Sequence, residues 1–364
     1  MNGKYIVSLC LLFFSFVSFA INETAPVNWF LDNIYGRRPA AAETPEVRFS
    51  SICEDKKMMN GTALRKYVRI TIKGPYGTLS FPVVAFLPLS AKPAPAFVLI
   101  CNRSKENIDP ERVAKSEFWP AEEIVSRGFA AIAFFNGDVA PDYDSGNTQG
   151  VFAIYEKPGK QRAMNAWGTL SAWAWGASRV MDWICTEPKI DAARVAIVGH
   201  SRGGKTALLS AVTDARFAMA CSNNSGSSGA RINKIVLPKA EHIADIASRF
   251  SYWFCPNYIR YANRDLEIPH DQDEFLGLIA PRLLAIGSAS DDAWAGPEGE
   301  FEAARRASVA WQSLGVEGLD GESFPEIGKA YQEGNISYHL RAGKHNLTLV
   351  DWNRYMDFAK SKGW

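Results

Sequence analysis

The hydrophobic positions of this chain fall into short unbroken runs that alternate with longer, partly polar segments. The unbroken runs have the length of buried strands, and the segments between them have the length of helices. Predicted strands cover residues 96–101, 128–135, 195–198, 217–221, 282–287 and 336–340. Predicted helices cover residues 120–127, 170–185, 202–212, 240–250, 299–314 and 349–359. This alternation predicts a mostly parallel, doubly wound α/β sheet with helices on both faces.

The segment before the first of these strands has a different pattern. Residues 29–35 are typical of a short helix, and residues 68–73 and 82–88 are typical of two strands in a hairpin around the turn 74–77. Neither a repeat nor a Gly/Ser-rich linker interrupts the chain. We therefore expect residues 21–364 to form a single α/β domain.

The first twenty residues are typical of a secretory signal peptide. Lys4 precedes an apolar run from Tyr5 to Phe19, and the segment ends in small residues at Ala20. As a membrane span this run is short, since a bilayer needs about twenty apolar residues. Cleavage after Ala20 would leave 344 of the 364 residues, in the periplasm or outside the cell and without stable membrane insertion. An uncleaved anchor is the alternative.

The composition is that of a globular protein, with 47% hydrophobic and 22% charged residues. Lys4 is the only charged residue of the leader, so acidic and basic residues balance at 39 each in the rest of the chain. This balance argues against a nucleic-acid partner, because phosphate binding needs a basic surplus. Five cysteines remain after the leader, an odd number whose pairing stays open. No C-x-x-C pair occurs, and we expect neither a metal nor a cofactor.

The sharpest chemical signal is the G-x-S-x-G sequence from Gly199 to Gly203, which directly follows a predicted strand and directly precedes a predicted helix. In that context small residues permit a sharp turn that exposes Ser201 at the carboxyl end of the sheet. The amide that follows Ser201 can then donate to an oxyanion. The sequence therefore predicts Ser201 as a nucleophile, and a structural turn is the alternative.

A serine nucleophile needs a base and an acid that orients it. Among the five histidines we select His345, because it follows the last predicted strand, where this kind of fold supplies its histidine. The acid should lie between Ser201 and His345 in the chain. Asp292, just after the strand at 282–287, is the preferred residue, and Asp291 is its close rival.

Two cations stand in the first turn of the helix that follows the nucleophile. Arg202 and Lys205 oppose the helix macrodipole there, at a cost of a few tenths to about 1 kcal/mol each. Lys205 is four residues after Ser201 and so lies on the same helix face. A site that favours negative charge or many hydroxyl groups would explain both cations. Solvated surface charges are the alternative.

The segment from Gly199 to Lys205 resembles the G-C/H-S-R-x-G-K elbow of the glucuronoyl esterases, carbohydrate esterase family 15, in the bacterial type. Further similar blocks lie at residues 172–179, 224–229, 253–255, 268–272, 278–282, 294, 299–301 and 343–345. The resemblance implies an α/β-hydrolase fold, a three-layer αβα sandwich with a mostly parallel sheet.

The same resemblance implies an activity and a set of roles. Family members cleave the ester that joins (4-O-methyl-)glucuronic acid side groups of xylan to lignin alcohols, with a serine-histidine-acid triad and no metal. By resemblance, Arg202 would stabilise the oxyanion with its amide and its guanidinium. Lys205 and Glu241 would bind sugar hydroxyls, and Trp294 would hold the uronate ring.

One position departs from the family pattern. Many members place a catalytic Glu directly before the Ser-Gly that is Ser225-Gly226 here, yet this chain has Asn224. The acid role should then fall to Asp292, as in some bacterial members. What Asn224 does, and which substrate suits the site best, stay open.

The leading hypothesis is a secreted, monomeric esterase whose substrate partner is glucuronoxylan or a lignin-carbohydrate ester. A carbohydrate deacetylase acting on acetyl xylan could use the same triad. A non-catalytic polysaccharide-binding protein is the alternative from another class, since the chain has 11 Trp residues. The leaving alcohol is not decided by the sequence.

Overall fold

The strands of the computed structural model, which describes residues 25–364, pair into one mixed sheet of eleven strands. They are β1 (Glu46–Ser51), β2 (Lys56–Met58), β3 (Ala63–Gly74), β4 (Gly77–Pro88), β5 (Ala94–Cys101), β6 (Ala130–Phe135), β7 (Ile190–His200), β8 (Met219–Asn223), β9 (Leu283–Ala289), β10 (Ala330–Tyr331) and β11 (Ile336–Arg341). Their order across the sheet is β1-β3-β4-β6-β5-β7-β8-β9-β11-β10, and β2 pairs with β3.

The helices lie on both faces of this sheet. They are α1 (Ala25–Phe30), α2 (Ala40–Glu43), α3 (Ala121–Ser126), α4 (Val151–Tyr155), α5 (Thr169–Ile184), α6 (Arg202–Thr213), α7 (Ile243–Arg249), α8 (Gln272–Gly277), α9 (Pro297–Ser313) and α10 (Leu349–Ser361). A π-helical turn, Leu31–Tyr35, continues α1. Helices α5, α6 and α9 share one buried apolar cluster with the sheet, whereas α3 and α10 share the other. The predicted three-layer αβα architecture is therefore confirmed.

The sheet direction places the chemistry at one edge. Strands β6, β5, β7, β8, β9 and β11 are parallel neighbours, while β1, β3 and β4 add an antiparallel extension. The chain leaves β5 for β6 on one side and then returns past it to β7 on the other. Ligands of such sheets bind outside the carboxyl ends of the strands at this reversal. The loops after β5, β7, β8, β9 and β11 all meet there.

The predicted parallel strands and main helices are confirmed within a few residues, and so is the antiparallel hairpin of β3 and β4. Strands β1, β2 and β10 were not predicted. Strands β1 and β2 are mostly exposed and β10 has only two residues, so these edge strands lack the unbroken apolar run that marks a buried strand. Six tryptophans are fully buried in the core: Trp119, Trp167, Trp173, Trp175, Trp311 and Trp352.

The predicted signal peptide, residues 1–20, lies outside the described residues. Within residues 25–364, none of the helices combines the length and the apolar character needed to span a bilayer. The five cysteines of this part of the chain are all free thiols. Three of them, Cys101, Cys221 and Cys255, are buried.

Candidate active site

Ser201 occupies a strained turn between β7 and α6. Its backbone has φ 56° and ψ −125°, an unfavourable conformation for a residue with a side chain. The turn needs glycine at position 199, because a Cβ there would lie 1.9 Å from the carbonyl oxygen of Gly203. The Ser201 amide donates to the Asn223 carbonyl at 2.8 Å. The hydroxyl makes no hydrogen bond to any described residue and is free to turn toward a substrate.

A histidine and a carboxylate lie opposite this turn. His345, in the loop after β11, and Asp292, in the loop after β9, are joined by a 2.5 Å contact between Nδ1 and Oδ2. Asp292 is buried, whereas His345 is partly exposed and lines the same cavity as Ser201. The rival Asp291 is exposed and accepts a hydrogen bond from Ser290. The structure thus brings the three predicted triad residues together in one place.

The charge on Asp292 is supported by its partners. Burial alone would raise the pKa of Asp292, but the hydrogen bond and charge of His345, together with the Asn224 amide, hold it below its usual value. Next to this pair, His200 is buried and bonds Asn223 at 2.6 Å. Burial lowers the pKa of His200 to about 3, with a smaller contribution from His345. His200 is therefore a neutral packing residue.

The loop after β8 carries Asn224 against the acid. Its side-chain amide donates to Asp292 Oδ2 at 2.6 Å, the same oxygen that contacts His345. The next two amides, of Ser225 and Gly226, donate to Glu300 Oε1 at 2.7 and 2.9 Å. Glu300 is fully buried, and burial raises its pKa to about 7 against the effect of these hydrogen bonds. Glu300 was not predicted as a site residue, although it lies in the block of family resemblance at residues 299–301.

Arg202 reaches over the carboxyl edge of the sheet toward the loop after β6. Its guanidinium forms an ion pair with Asp142 and donates to the Asn102 carbonyl at 2.8 Å. Asp142 in turn accepts from the Trp253 indole at 3.0 Å, and the guanidinium lies 5.9 Å from that ring. The guanidinium is thus held from several sides beside Ser201. Asp142 was not predicted, because it lies in a loop with no motif around it.

Lys205 is buried, so the alternative of a solvated surface charge is wrong for this residue. Its ammonium donates to the carbonyls of Ser225 and Ser227 at 2.6 and 2.5 Å and to Glu241 Oε1 at 2.9 Å. An ammonium has three N–H groups, so these contacts use all of them. Burial is the largest influence on the pKa of Lys205 and lowers it, while Glu241 opposes the change.

Glu241 completes this cluster. Its Oε1 accepts from Lys205 and from the Ser227 amide at 2.9 Å, while Oε2 has no partner among the described residues. Glu241 and Trp294 are bound through a backbone hydrogen bond of 2.8 Å. The Trp294 side chain is 42% exposed, and the Arg249 guanidinium lies 5.4 Å from its ring.

Six of the seven predicted site residues line one cavity of about 220 Å³. Asp292 stands behind His345. The lining residues that sequence reasoning did not select come mainly from the segment around α7: Asp245, Ile246, Arg249, Phe250 and Trp253. The rings of Phe250 and Trp253 are stacked, with centroids 4.0 Å apart and an interplanar angle of 4°. The arrangement can present a nucleophile, an imidazole base and fixed cations to a small polar substrate beside aromatic walls.

The remaining histidines lie elsewhere. His339 is buried in the core and bonds Asp351 at 2.9 Å. His242 caps α7, and His270 contacts Glu274 at 2.7 Å. Among residues 25–364, no group of His, Cys, Asp and Glu side chains is arranged to hold a metal ion.

Known sequences that are similar to this chain are carbohydrate esterases. A family model described as "Glucuronyl esterase, fungi" matches residues 70–315. The chain is 32% identical over 355 residues to carbohydrate esterase MZ0003 of an unknown prokaryotic organism, covering 90% of this chain and 81% of the relative. It is 31% identical over 232 residues to 4-O-methyl-glucuronoyl methylesterase 1 of Sodiomyces alcalophilus, covering 62% of this chain. The chain spans 45% of the length of that fungal relative.

Solved structures agree. A glucuronoyl esterase from Solibacter usitatus superposes with a TM-score of 0.85 at 30% identity, over 94% of this chain and 93% of the other. A family 15 glucuronoyl esterase from Teredinibacter turnerae gives a TM-score of 0.81 at 27% identity, over 93% and 83% of the two chains. These neighbours share the α/β-hydrolase fold that the sequence resemblance implied.

Proposed function

The chain belongs to the glucuronyl esterase family, carbohydrate esterase family 15, and we propose that it hydrolyses esters of (4-O-methyl-)glucuronic acid side groups in glucuronoxylan. As a family member it is a carboxylic ester hydrolase. The observation that carries the proposal is the convergence of Ser201 and the Asp292–His345 pair on one cavity that also holds fixed cations. Family membership alone would leave open whether this chain retains a complete catalytic group.

In the first step, His345 Nε2 accepts the Ser201 hydroxyl proton as Oγ attacks the ester carbonyl carbon. The Asp292 carboxylate holds the imidazole through Nδ1 and stabilises the cation that forms. Collapse of the tetrahedral intermediate breaks the bond to the alcohol oxygen, which leaves with the proton from His345. The glucuronoyl group is then bound to Ser201 as an ester.

Negative charge develops on the carbonyl oxygen during this step. The Arg202 amide, at the start of α6, and its guanidinium are the donors that we assign to this oxyanion. Asp142 and the Asn102 carbonyl support the assignment, because they hold the guanidinium in place before substrate arrives. Fixed donors of this kind need no reorganisation as charge develops.

In the second step, a water molecule gives its proton to His345 and attacks the acyl carbon. The proton then returns to Ser201 Oγ as the acid leaves, and the enzyme is regenerated. Within the protein, Ser201 and His345 exchange the protons with the leaving alcohol and the attacking water, while Asp292 stays ionised throughout.

For the sugar, we propose that Glu241 accepts hydroxyl hydrogen bonds and that Trp294 covers the uronate ring. The unpartnered Oε2 of Glu241 and the exposed face of Trp294 support these roles. All three N–H groups of Lys205 are occupied by protein acceptors. Lys205 would therefore contribute to sugar binding indirectly, by holding the Glu241 carboxylate in place. We further propose export by the leader at residues 1–20 and a monomeric, single-domain mature chain.

A panel of esters tests the activity: benzyl and methyl glucuronate, methyl galacturonate and acetyl xylan. We expect turnover of the glucuronates, weaker turnover of the galacturonate and little deacetylation. Replacing Ser201 with Ala should abolish glucuronate hydrolysis by several orders of magnitude. Retention of that hydrolysis in S201A would end the proposal, and a preference for acetyl xylan would replace it with a deacetylase.

A further inference from the structure

We propose that Asn224 is a positioning residue for the catalytic carboxylate, one that holds the Asp292 oxygen paired with His345. The proposal rests on the triad assigned above and adds a fourth member to it. Asn224 Nδ2 lies 2.6 Å from Asp292 Oδ2, and His345 Nδ1 lies 2.5 Å from the same oxygen. The carboxylate is therefore bound from two directions, and its orientation toward the imidazole does not depend on His345 alone.

The position of Asn224 is itself fixed. The backbone N–H of Asn224 donates to the Gly287 carbonyl at 2.8 Å, which ties the end of β8 to β9. The following amides of Ser225 and Gly226 are anchored on the buried Glu300. The residue has φ 46°, a conformation that asparagine tolerates better than most residues with a side chain. The backbone thus aims this side chain at Asp292 before any substrate binds.

The surroundings of Asn224 Oδ1 indicate that the side-chain amide is present to donate to Asp292. Asn224 is 1% exposed, and its Oδ1 has no hydrogen-bond partner. A buried polar atom without a partner is unfavourable, so core packing alone does not explain an amide at this position. The opposite amide orientation would turn Oδ1 toward a carboxylate, and the two acceptors would repel each other. A donor toward Asp292 is the arrangement that the surroundings favour.

A neutral donor also suits the charges around it. The groups that face the Asp292–His345 pair are Glu300, whose pKa the charge of Asp292 helps to raise, and the neutral His200, whose ring is 4.4 Å from that of His345. A second carboxylate at position 224 would lie within hydrogen-bond distance of Asp292. Two such carboxylates cannot both ionise freely and tend to share a proton.

Two substitutions separate the donor from the shape of the side chain. Asn224→Gly removes the amide and is compatible with φ 46°, whereas Asn224→Asp keeps the shape and replaces the donor with an acceptor. Asn263→Gly is the matched control, because Asn263 has φ 61° and is exposed away from the cavity. For each variant, kcat and KM for benzyl glucuronate, the pH profile of kcat/KM and the melting temperature are measured.

NMR titration of the His345 imidazole supplies a readout that needs no substrate. The chain has five histidines, and the His345 signal is the one lost in His345→Gln. Without the Asn224 donor the carboxylate should bind the imidazolium more tightly. We expect the His345 titration and the acidic limb of the pH profile to move about one pH unit upward in Asn224→Gly, and in the same direction in Asn224→Asp. The control should not move.

We expect kcat of Asn224→Gly to fall about 10- to 100-fold, as for one hydrogen bond to a charged group, with KM nearly unchanged. A fall in kcat without a change in the His345 titration would overturn the proposal in favour of a purely structural role. An unchanged kcat and titration in the folded variant would overturn it outright. If Asn224→Gly does not fold, Asn224→Asp is judged by the same titration. Wild-type protein that is inactive on every ester would reject the proposed function, while the titration would still test Asn224.

Discussion

The rings of His200 and His345 lie 4.4 Å apart, centroid to centroid, and the two residues have opposite surroundings. His200 is buried under the turn that carries Ser201, and burial lowers its pKa to about 3. His345 is partly exposed and contacts the Asp292 carboxylate. The histidine nearest to the nucleophile in sequence is therefore held neutral, and the one farther along the chain has the partner that stabilises a cation.

This difference makes His200 a source of acid sensitivity in the folded protein. In the unfolded chain His200 binds a proton below its ordinary pKa of about 6.5, whereas in the folded protein it stays neutral until the pH is near 3. The unfolded state thus binds more protons in this window, so stability falls as pH falls from about 6.5 toward 3. We expect the melting temperature of His200→Gln to decline less steeply over that range than that of the wild type.

Melting scans between pH 4 and pH 7.5 measure the effect. The partly exposed His270, changed to Gln, is the matched control and should leave the wild-type slope unchanged. Parallel slopes for wild type and His200→Gln would contradict the low pKa of His200. The acidic limb of the activity profile should persist in His200→Gln, because that limb belongs to the His345–Asp292 pair.

The choice between neighbouring acids gives a second prediction. Asp292 is buried against His345, whereas Asp291 is exposed and contacts Ser290. We expect Asp292→Asn to lower kcat for benzyl glucuronate by about 10⁴-fold, the size seen when a triad acid becomes an amide. Asp291→Asn is the control in the same loop and should change kcat by no more than about threefold. Comparable losses in the two variants would show that the loop as a whole, and not one carboxylate, supports His345.

How far sequence reasoning reached depended on whether a residue carries its own local signal. Ser201 stands in a motif between a strand and a helix, and His345 and Asp292 follow apolar strands, so each could be chosen from its neighbours in sequence. The roles of Asp142 and Glu300 have no such signal, because their partners, Arg202 and the amides after Asn224, are distant in the chain. Strands β1, β2 and β10 were not predicted for the same reason, because their pairing depends on the rest of the sheet.

Asp142 gives a third prediction. Its carboxylate pairs with the Arg202 guanidinium and also accepts from Trp253, so it connects the proposed oxyanion donor to an aromatic wall. Asp142→Asn should lower kcat about tenfold and leave KM within about twofold, since the guanidinium loses its fixed position in the transition state. Asp144→Asn, two residues away in the same loop and exposed, is the control. An effect confined to KM would assign Asp142 to ground-state binding of the substrate.

The buried Lys205 gives the last prediction, and it separates two roles that activity alone would confuse. Removing the ammonium in Lys205→Met leaves the Ser225 and Ser227 carbonyls and the Glu241 carboxylate without their donor. Breaking a buried ion pair by removing one partner costs about 3–5 kcal/mol, so urea unfolding should show a loss of that order. Lys157→Met, at an exposed position, is the control and should change stability by no more than about 0.5 kcal/mol.

A double variant tests the cause. Adding Glu241→Gln to Lys205→Met removes the uncompensated negative charge, so part of the lost stability should return even though a second polar contact is gone. If Lys205 acted only by donating to sugar hydroxyls, Lys205→Met would instead raise KM and leave the unfolding free energy unchanged. That result would contradict the three contacts of its ammonium, because a lysine free to bind substrate would not be needed to hold the loop from Ser225 to Ser227.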